Sequence, residues 1–251
     1  MEEPLLNEHE PAPPRWQRMD LVAFAGFFIA VVVALPSAIF LVLRLFRPGL
    51  QPTDLSGVEQ ISIQALMDVV LVGFIFFMIR VLHGRQILET LHWRHTEKIP
   101  VMFLISAGAF LAVTVLIAST LFPTPSESPL EKLLSTTPSI VAFVFFGIAM
   151  APLLEEIIFR GFIYTLLADV YSPAVAVPIT SVLFAALHVS QLRGNWPAVV
   201  LILLVGYVLT VVRKRSNSLI PSVIMHTAYN AMIFGIAALG ALLEHGKVQP
   251  H

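Results

Sequence analysis

Long apolar runs separated by short polar segments fill most of the chain. Because a bilayer core needs about 20 apolar residues for each crossing helix, these runs indicate the number of spans. They cover residues 21–43, 61–82, 99–122, 139–170, 174–189, 198–212 and 219–243. The pattern predicts an all-α fold: a polytopic helical membrane bundle of about seven spans, within a range of six to eight because two runs are short.

Composition supports the membrane interpretation. The mean hydropathy is +0.84 and only 12% of the residues are charged, whereas about a quarter are charged in an average soluble domain. A net charge of −1 without long charge runs argues against a nucleic-acid partner and leaves the lipid bilayer as the expected partner. The sequence has no cysteine, which excludes disulfides, thiolate metal ligands and a cysteine nucleophile.

The chain divides into three predicted segments. Residues 1–18 are polar and Pro-rich and lack the basic-then-apolar order of a signal peptide, so they are predicted to form a flexible cytosolic tail. Residues 19–137 are predicted to form N-terminal spans and loops, and residues 138–245 a catalytic domain, because polar residues within spans concentrate after position 150. The Lys/Arg bias of the loops predicts a cytoplasmic N-terminus.

The run APLLEEIIFRGF places three charged residues within one predicted span. A charge at mid-bilayer costs about 3 kcal/mol on insertion scales and marks a functional hypothesis. Glu156 and Arg160 are i,i+4 neighbours and are predicted to pair. Glu155 then faces a polar cavity, where it suits a general base. The alternative is a buried ion network that fixes helix packing, although this leaves one carboxylate unpaired.

The next two motifs each place polar groups on one helix face. Phe184 and His188 are i,i+4 neighbours in the following span, and a turn near residues 171–172 brings His188 to the depth of Glu155. His226 and Asn230 share a face of the last span, and two donors aimed at one point can stabilise an oxyanion. Each motif alone is equally compatible with hydrogen bonds between helices.

These motifs together resemble the CAAX protease and bacteriocin-processing family, which includes the type II CAAX prenyl endopeptidases. The resemblance covers about residues 138–243 and rests on E-E-x-x-x-R, F-x-x-x-H and H-x-x-x-N in this order. It implies a CAAX-type intramembrane endopeptidase of the glutamate or metallo type. By this resemblance Glu155 and His188 activate water, while His226 and Asn230 form the oxyanion hole. Glu156, Arg160 and Phe184 are supporting residues, and Arg160 is a candidate to meet a substrate carboxylate.

The resemblance leaves the cofactor open, because many family members are labelled metalloproteases. Glu155, His188 and His226 are the ligand types of a His₂Glu zinc site, the set expected if the enzyme uses Zn²⁺. Asn230 is a natural oxyanion donor and a poor zinc ligand, so a mechanism without a cofactor is preferred. The early-span acid Asp68 is assigned no catalytic role in this prediction.

Two other function classes remain as alternatives. One is a non-catalytic immunity or scaffold protein that keeps the fold without turnover. The other is a small proton-coupled transporter with Glu155, His188 and Asp68 as relay groups. For the protease, the expected location is the inner (plasma) membrane of a bacterium, and the expected substrate is a peptide or protein, either lipidated or carrying a leader peptide.

Overall fold

The computed structural model describes residues 16–96, 99–122, 136–192 and 195–247. Within these ranges the regular structure is helical, with no strand. The elements are α1 (Arg18–Phe46), a 3₁₀ turn (Pro52–Asp54), α2 (Gly57–Leu82), α3 (Ile87–Thr90), α4 (Val101–Ser119), α5 (Thr137–Val170), α6 (Pro173–Gln191), α7 (Trp196–Ser216) and α8 (Ile220–Lys247).

Six helices are long and apolar enough to cross a membrane, namely α1, α2, α4, α5, α7 and the Ile220–Ala241 part of α8. The apolar Pro173–Val189 stretch of α6 is shorter. The fold is therefore a polytopic helical membrane bundle, as predicted, with six spans and a seventh, shorter apolar helix. Large apolar side chains such as Leu45, Phe103 and Phe110 remain exposed on the outside of the bundle, where lipid is their expected solvent.

Polar residues at the helix starts set where several spans begin. Ser56 caps α2, accepting a hydrogen bond from the Glu59 backbone N–H, while the Glu59 carboxylate accepts from the backbone of Ser56. Thr136 caps α5 and Asn195 caps α7 in the same way, and a proline follows within two residues of each cap. Such caps satisfy N–H groups that a helix leaves unpaired.

Two buried apolar clusters hold the bundle together. The larger joins α1 and α2 to α5 and α6 through residues such as Phe24, Ile75, Phe162 and Phe184. The smaller joins α4 to α7 and α8 and consists of Leu111, Ala112, Val205, Leu209, Met225 and Tyr229. At Gly108 the α4 backbone lies so close to the Met225 carbonyl of α8 that an added Cβ would overlap it. The predicted N-terminal and C-terminal segments thus share both cores.

Helix α5 is not a uniform α-helix. Two π-helical segments, Phe146–Met150 and Ile157–Ile163, flank the α-helical turn Ala151–Glu156 that carries both glutamates. Pro152 is the second residue after the first π segment, and its missing N–H interrupts regular α-helical bonding. Inserted π turns recur at functional sites in helices, so this irregularity coincides with the part of α5 that carries the predicted chemistry.

The predicted flexible tail ends earlier than residue 18. Trp16 is buried against the rings of His83 and Phe162, and the Arg85 guanidinium lies 4.8 Å from the Trp16 ring centroid. His83 in turn bonds Asp20 in the first turn of α1. Residues 1–15 of the predicted tail lie outside the described residues. Aromatic packing therefore fixes the start of α1 against α5.

Candidate active site

The two adjacent glutamates of α5 face different surroundings. Glu156 is fully buried, and Arg160 Nη1 donates to its Oε1 over 2.9 Å, as the i,i+4 spacing predicted. The Glu155 side chain keeps 20% of its surface exposed and lines a cavity. Successive residues on a helix point about 100° apart, so one carboxylate is used inside the protein while its neighbour is open to a ligand.

Arg160 is held on every side by protein groups. Its Nε donates to Thr210 Oγ1 over 3.2 Å and its Nη2 to the Gly206 carbonyl over 3.0 Å. Its guanidinium carbon lies 4.3 Å from the Phe184 ring centroid. The side chain is fully buried and is absent from the described lining of the cavity. In this arrangement Arg160 supports Glu156, and it is not placed to meet a substrate carboxylate.

Arg213 extends this buried network and was missed by the sequence analysis. It is 2% exposed, its Nε donates to the Arg160 carbonyl over 3.2 Å, and its guanidinium lies over the Tyr164 ring. In the sequence it is the first residue of the basic run 213–215, which resembles an ordinary cytoplasmic loop signal. Helical spacing is the signal that could have identified Arg213 in the sequence, because Gly206, Thr210 and Arg213 fall on one face of α7.

His226 links the buried network to the exposed glutamate. Its Nδ1 lies 2.9 Å from Glu156 Oε1, and its Nε2 lies 3.8 Å from Glu155 Oε2. A carboxylate paired with arginine only accepts hydrogen bonds, so Nδ1 carries the proton and donates to Glu156. This contact between α8 and α5 fixes the ring with Nε2 toward Glu155. The i,i+4 spacing had predicted only one partner for Glu156, namely Arg160.

Asn230 lies one turn further along α8, on the same face as His226. Its Nδ2 donates to the Gly147 carbonyl over 2.8 Å, and the residue is 7% exposed. Gly147 belongs to the first π segment of α5, where a wider turn leaves carbonyls without their regular partners. An amide nitrogen has two N–H groups, so this bond orients the side chain while a second donor remains available.

His188 lines the same cavity as Glu155. Its Nδ1 lies 2.9 Å from the Phe184 carbonyl, which can only accept, so Nδ1 is protonated and Nε2 is the basic nitrogen of the neutral ring. The Phe184 ring packs between the elements of the site, with centroids 4.9 Å from His188 and 5.9 Å from His226. The structure thus places both predicted histidines against the Phe184 ring, and Glu155 shares the cavity with His188 and lies 3.8 Å from His226.

The candidate zinc ligands fit a metal poorly in this arrangement. Zinc ligands lie about 2 Å from the ion and approach it from tetrahedral directions. Within the described ranges, no three His, Asp or Glu side chains converge closely enough to hold an ion. His226 Nδ1 is committed to Glu156, and only Nε2 faces Glu155. The expected set of Glu155, His188 and His226 is therefore not arranged as a metal centre here.

Comparison with known proteins finds a family model that matches the C-terminal part of the chain. Residues 137–232 match the family described as "Type II CAAX prenyl endopeptidase Rce1-like". UPF0177 protein YxdF of Lactococcus lactis subsp. lactis (strain IL1403) is 28% identical over 151 residues, which are 60% of this chain and 80% of that protein. No solved structure matches the chain.

The matched family is one of CAAX-type intramembrane proteases, so the match supports, at the family level, a membrane-embedded protease with a peptide substrate. All four residues predicted to be catalytic, Glu155, His188, His226 and Asn230, fall within the matched range. The match begins at α5, so α1, α2 and α4 lie outside it.

Proposed function

We propose that this protein is an intramembrane endopeptidase in which Glu155 and His188 activate water, and His226 with Asn230 stabilises the oxyanion. The observation that carries the proposal is the shared cavity: Glu155 and His188 both line it, and His226 Nε2 lies 3.8 Å from the Glu155 carboxylate. A carbonyl bound beside Glu155 would have a general base next to it and, in His226 Nε2, a nearby hydrogen-bond donor, the two kinds of group that peptide hydrolysis requires.

The reaction is balanced by protein groups alone. A water that donates to Glu155 and to Nε2 of His188 loses its proton to Glu155, and its oxygen attacks the carbonyl carbon of the peptide. The resulting oxyanion accepts from the second Nδ2–H of Asn230 and from Nε2–H of protonated His226. Collapse of the tetrahedral intermediate breaks the C–N bond, and Glu155 returns the proton to the leaving nitrogen.

The buried network supports the proposed donor role of His226. Since Nδ1 already donates to Glu156, the proposed donor is the positively charged ring, which carries a hydrogen on Nε2 as well. The two glutamates lie on opposite sides of the ring, with Glu156 2.9 Å from Nδ1 and Glu155 3.8 Å from Nε2, and Arg160 pairs with Glu156. Charged donors stabilise an oxyanion more strongly than neutral ones, which is the chemical advantage of the Arg160–Glu156–His226 chain.

The proposed setting is the plasma membrane of a bacterium, with the N-terminus in the cytoplasm. The Lys/Arg bias of the loops supports this orientation. Proposed substrates are peptides or membrane proteins, either lipidated or carrying a leader segment, by analogy with the family.

The test is cleavage of fluorogenic apolar peptides, including one that ends in a prenylated cysteine motif, by the purified protein in detergent. We expect Glu155→Ala to lower kcat/KM by about 10²–10⁴-fold, the usual contribution of a general base. Glu89→Gln, which removes an exposed acid outside the cavity, is the matched control and is expected to keep wild-type activity.

A strong chelator separates the two chemical types. Activity that persists with chelator and disappears in Glu155→Ala supports the proposed glutamate mechanism. Loss in both conditions supports a metal enzyme. Cleavage that survives Glu155→Ala contradicts the mechanism, and no cleavage by the wild type favours the scaffold or transporter alternatives.

A further inference from the structure

Helix α2, outside the family match, forms one wall of the candidate active-site cavity. The cavity has a volume of about 270 Å³, and α2 contributes Gln64, Met67, Asp68 and Leu71 to it, opposite Glu155 and His188. Ligand pockets for drug-sized molecules begin at about 300 Å³. A cavity of this size therefore suits one side chain and the adjoining backbone of an extended peptide.

Asp68 has an incomplete set of hydrogen bonds. The residue is 5% exposed, and its Oδ1 accepts from Gln64 Nε2 over 2.9 Å. Its Oδ2 is buried and has no hydrogen-bond partner among the described residues. Leaving a buried acceptor unsatisfied costs about 1–3 kcal/mol. Because Asp68 is one of the residues that line the cavity, its carboxylate is a candidate to accept a hydrogen bond from a ligand.

The charges that line the cavity are of one sign. Asp68 and Glu155 are its acidic residues, and no Lys or Arg lies in the described lining. The nearest buried guanidinium of the site, Arg160, is already bonded to Glu156. Apolar side chains, including Phe28, Val32 and Leu187, form much of the remaining wall. The lining thus combines two carboxylates with an apolar surface, and the described residues place no cation in contact with Asp68, whose hydrogen-bond partner is the neutral Gln64 amide.

We infer that Asp68 is a specificity-determining residue that selects peptides with a lysine or arginine beside the scissile bond. The cationic side chain would donate to the unpartnered Oδ2 of Asp68, and its methylene groups would pack on the apolar wall. Since Asp68 and the proposed base Glu155 line one small cavity, and an extended peptide advances about 3.3 Å per residue, the basic residue lies within about two positions of the cleaved bond. This inference rests on the proposed function.

The test measures binding, so that it does not depend on turnover. Two short apolar peptides are compared that differ only in one central residue, lysine or its neutral isostere norleucine. Both are titrated into the full-length Glu155→Gln protein in nanodiscs, with and without Asp68→Asn. Asn keeps the shape of the side chain and an oxygen that can accept from Gln64. Glu89→Gln is the matched removal of an acid outside the cavity.

We expect the lysine peptide to bind about tenfold more tightly than the norleucine peptide, as befits one charge-assisted hydrogen bond. Asp68→Asn is expected to abolish this ratio by weakening the lysine peptide alone, while Glu89→Gln preserves it. Equal affinities for the two peptides, equal weakening of both by Asp68→Asn, or binding of neither would overturn the inference. Equal affinities would indicate that a water molecule, and not a ligand cation, is the partner of Oδ2.

Cleavage by the wild-type protein then separates the inference from the proposed function. A preference for the lysine peptide in kcat/KM that disappears in Asp68→Asn supports both. Selective binding without cleavage of either peptide rejects the protease while keeping the selectivity of the cavity. Thermal stability of Asp68→Asn in detergent, compared with the parent protein, checks that the buried substitution leaves the fold intact.

Discussion

Glu156 in α5 and Asp68 in α2 are both buried carboxylates of neighbouring helices, yet their surroundings differ. Each has one buried oxygen without a hydrogen-bond partner among the described residues, Oε2 of Glu156 and Oδ2 of Asp68. The other oxygen of Glu156 accepts from the Arg160 guanidinium and from His226, whereas that of Asp68 accepts only from the neutral Gln64 amide. A buried carboxylate that is paired with a cation holds its neighbours in place, whereas one without a cation in a cavity wall is suited to a cationic ligand. Glu156 therefore orients side chains within the protein, and Asp68 is the carboxylate suited to recognition.

The largest effect on stability is expected from removing the cation that pairs with Glu156. Arg160→Met leaves Glu156 buried without its cation, which costs about 3–5 kcal/mol when one partner of a buried pair is removed. Asp68→Asn, in contrast, removes an incompletely paired charge and is expected to leave stability unchanged or slightly raised. Unfolding in detergent by heat or denaturant measures both variants.

The double variant Arg160→Met with Glu156→Gln provides the control, because it removes both charges together. It is expected to recover part of the lost stability. If Asp68→Asn destabilises the protein as strongly as Arg160→Met, the distinction between the two acids is wrong.

A second, smaller effect concerns the packing of α4 against α8. At Gly108 in α4, an added Cβ would overlap the Met225 carbonyl and lie 2.9 Å from the Ala228 Cβ in α8. Gly108→Ala is therefore expected to cost about 1–3 kcal/mol, as overpacking does. Gly73→Ala in α2 is the matched control, because a Cβ there meets nothing within 4 Å. Equal stabilities of the two variants would contradict the close contact of α4 with α8.

The smallest effect concerns His92, outside the spans. Burial lowers the pKa of His92, with a further contribution from the nearby Arg213 guanidinium. The unfolded chain then binds more protons than the folded one, so stability is complete above about pH 6.5 and falls as the pH decreases through the folded pKa.

His92→Asn, which tolerates the positive φ of 55° at this position, is expected to reduce the acid-induced fall in melting temperature by about 1 °C. His95→Asn, at a neighbouring exposed site, is the control and is expected to leave it unchanged. If the pH dependence of the melting temperature is unaltered in His92→Asn, His92 does not contribute to the acid-induced loss of stability.

The sequence was informative where one helix carries the whole signal. Apolar runs predicted the spans because a bilayer dictates their length. The i,i+4 rule predicted the Glu156–Arg160 pair, and counting from the turn near residue 171 predicted that Glu155 and His188 reach one depth. Both follow from the geometry of a single helix or a single hairpin, which spacing alone determines.

Spacing along the sequence does not predict contacts between helices that are far apart in the chain. Nothing in the spacing links His226 to Glu156, since that bond depends on how α8 packs against α5. Asp68 was assigned no catalytic role in the predicted protease, because the rotation of α2 about its axis is not encoded by hydrophobicity when both faces of the helix are apolar. Arg213 begins a basic run of the kind that is typical of a cytoplasmic loop, although α7 extends through Ser216 and buries this residue.

The two π segments of α5 have a consequence for how this site can change over evolution. Each π turn holds about one residue more than an α turn, so Ala151–Glu156 lies between two places where the helix has already taken up extra length. One residue corresponds to about 100° of rotation. Gaining or losing a residue in either segment would therefore turn the glutamates relative to the helix ends without moving the loops that anchor them. In this helix, the direction of the two glutamates and the length that spans the membrane can therefore change separately.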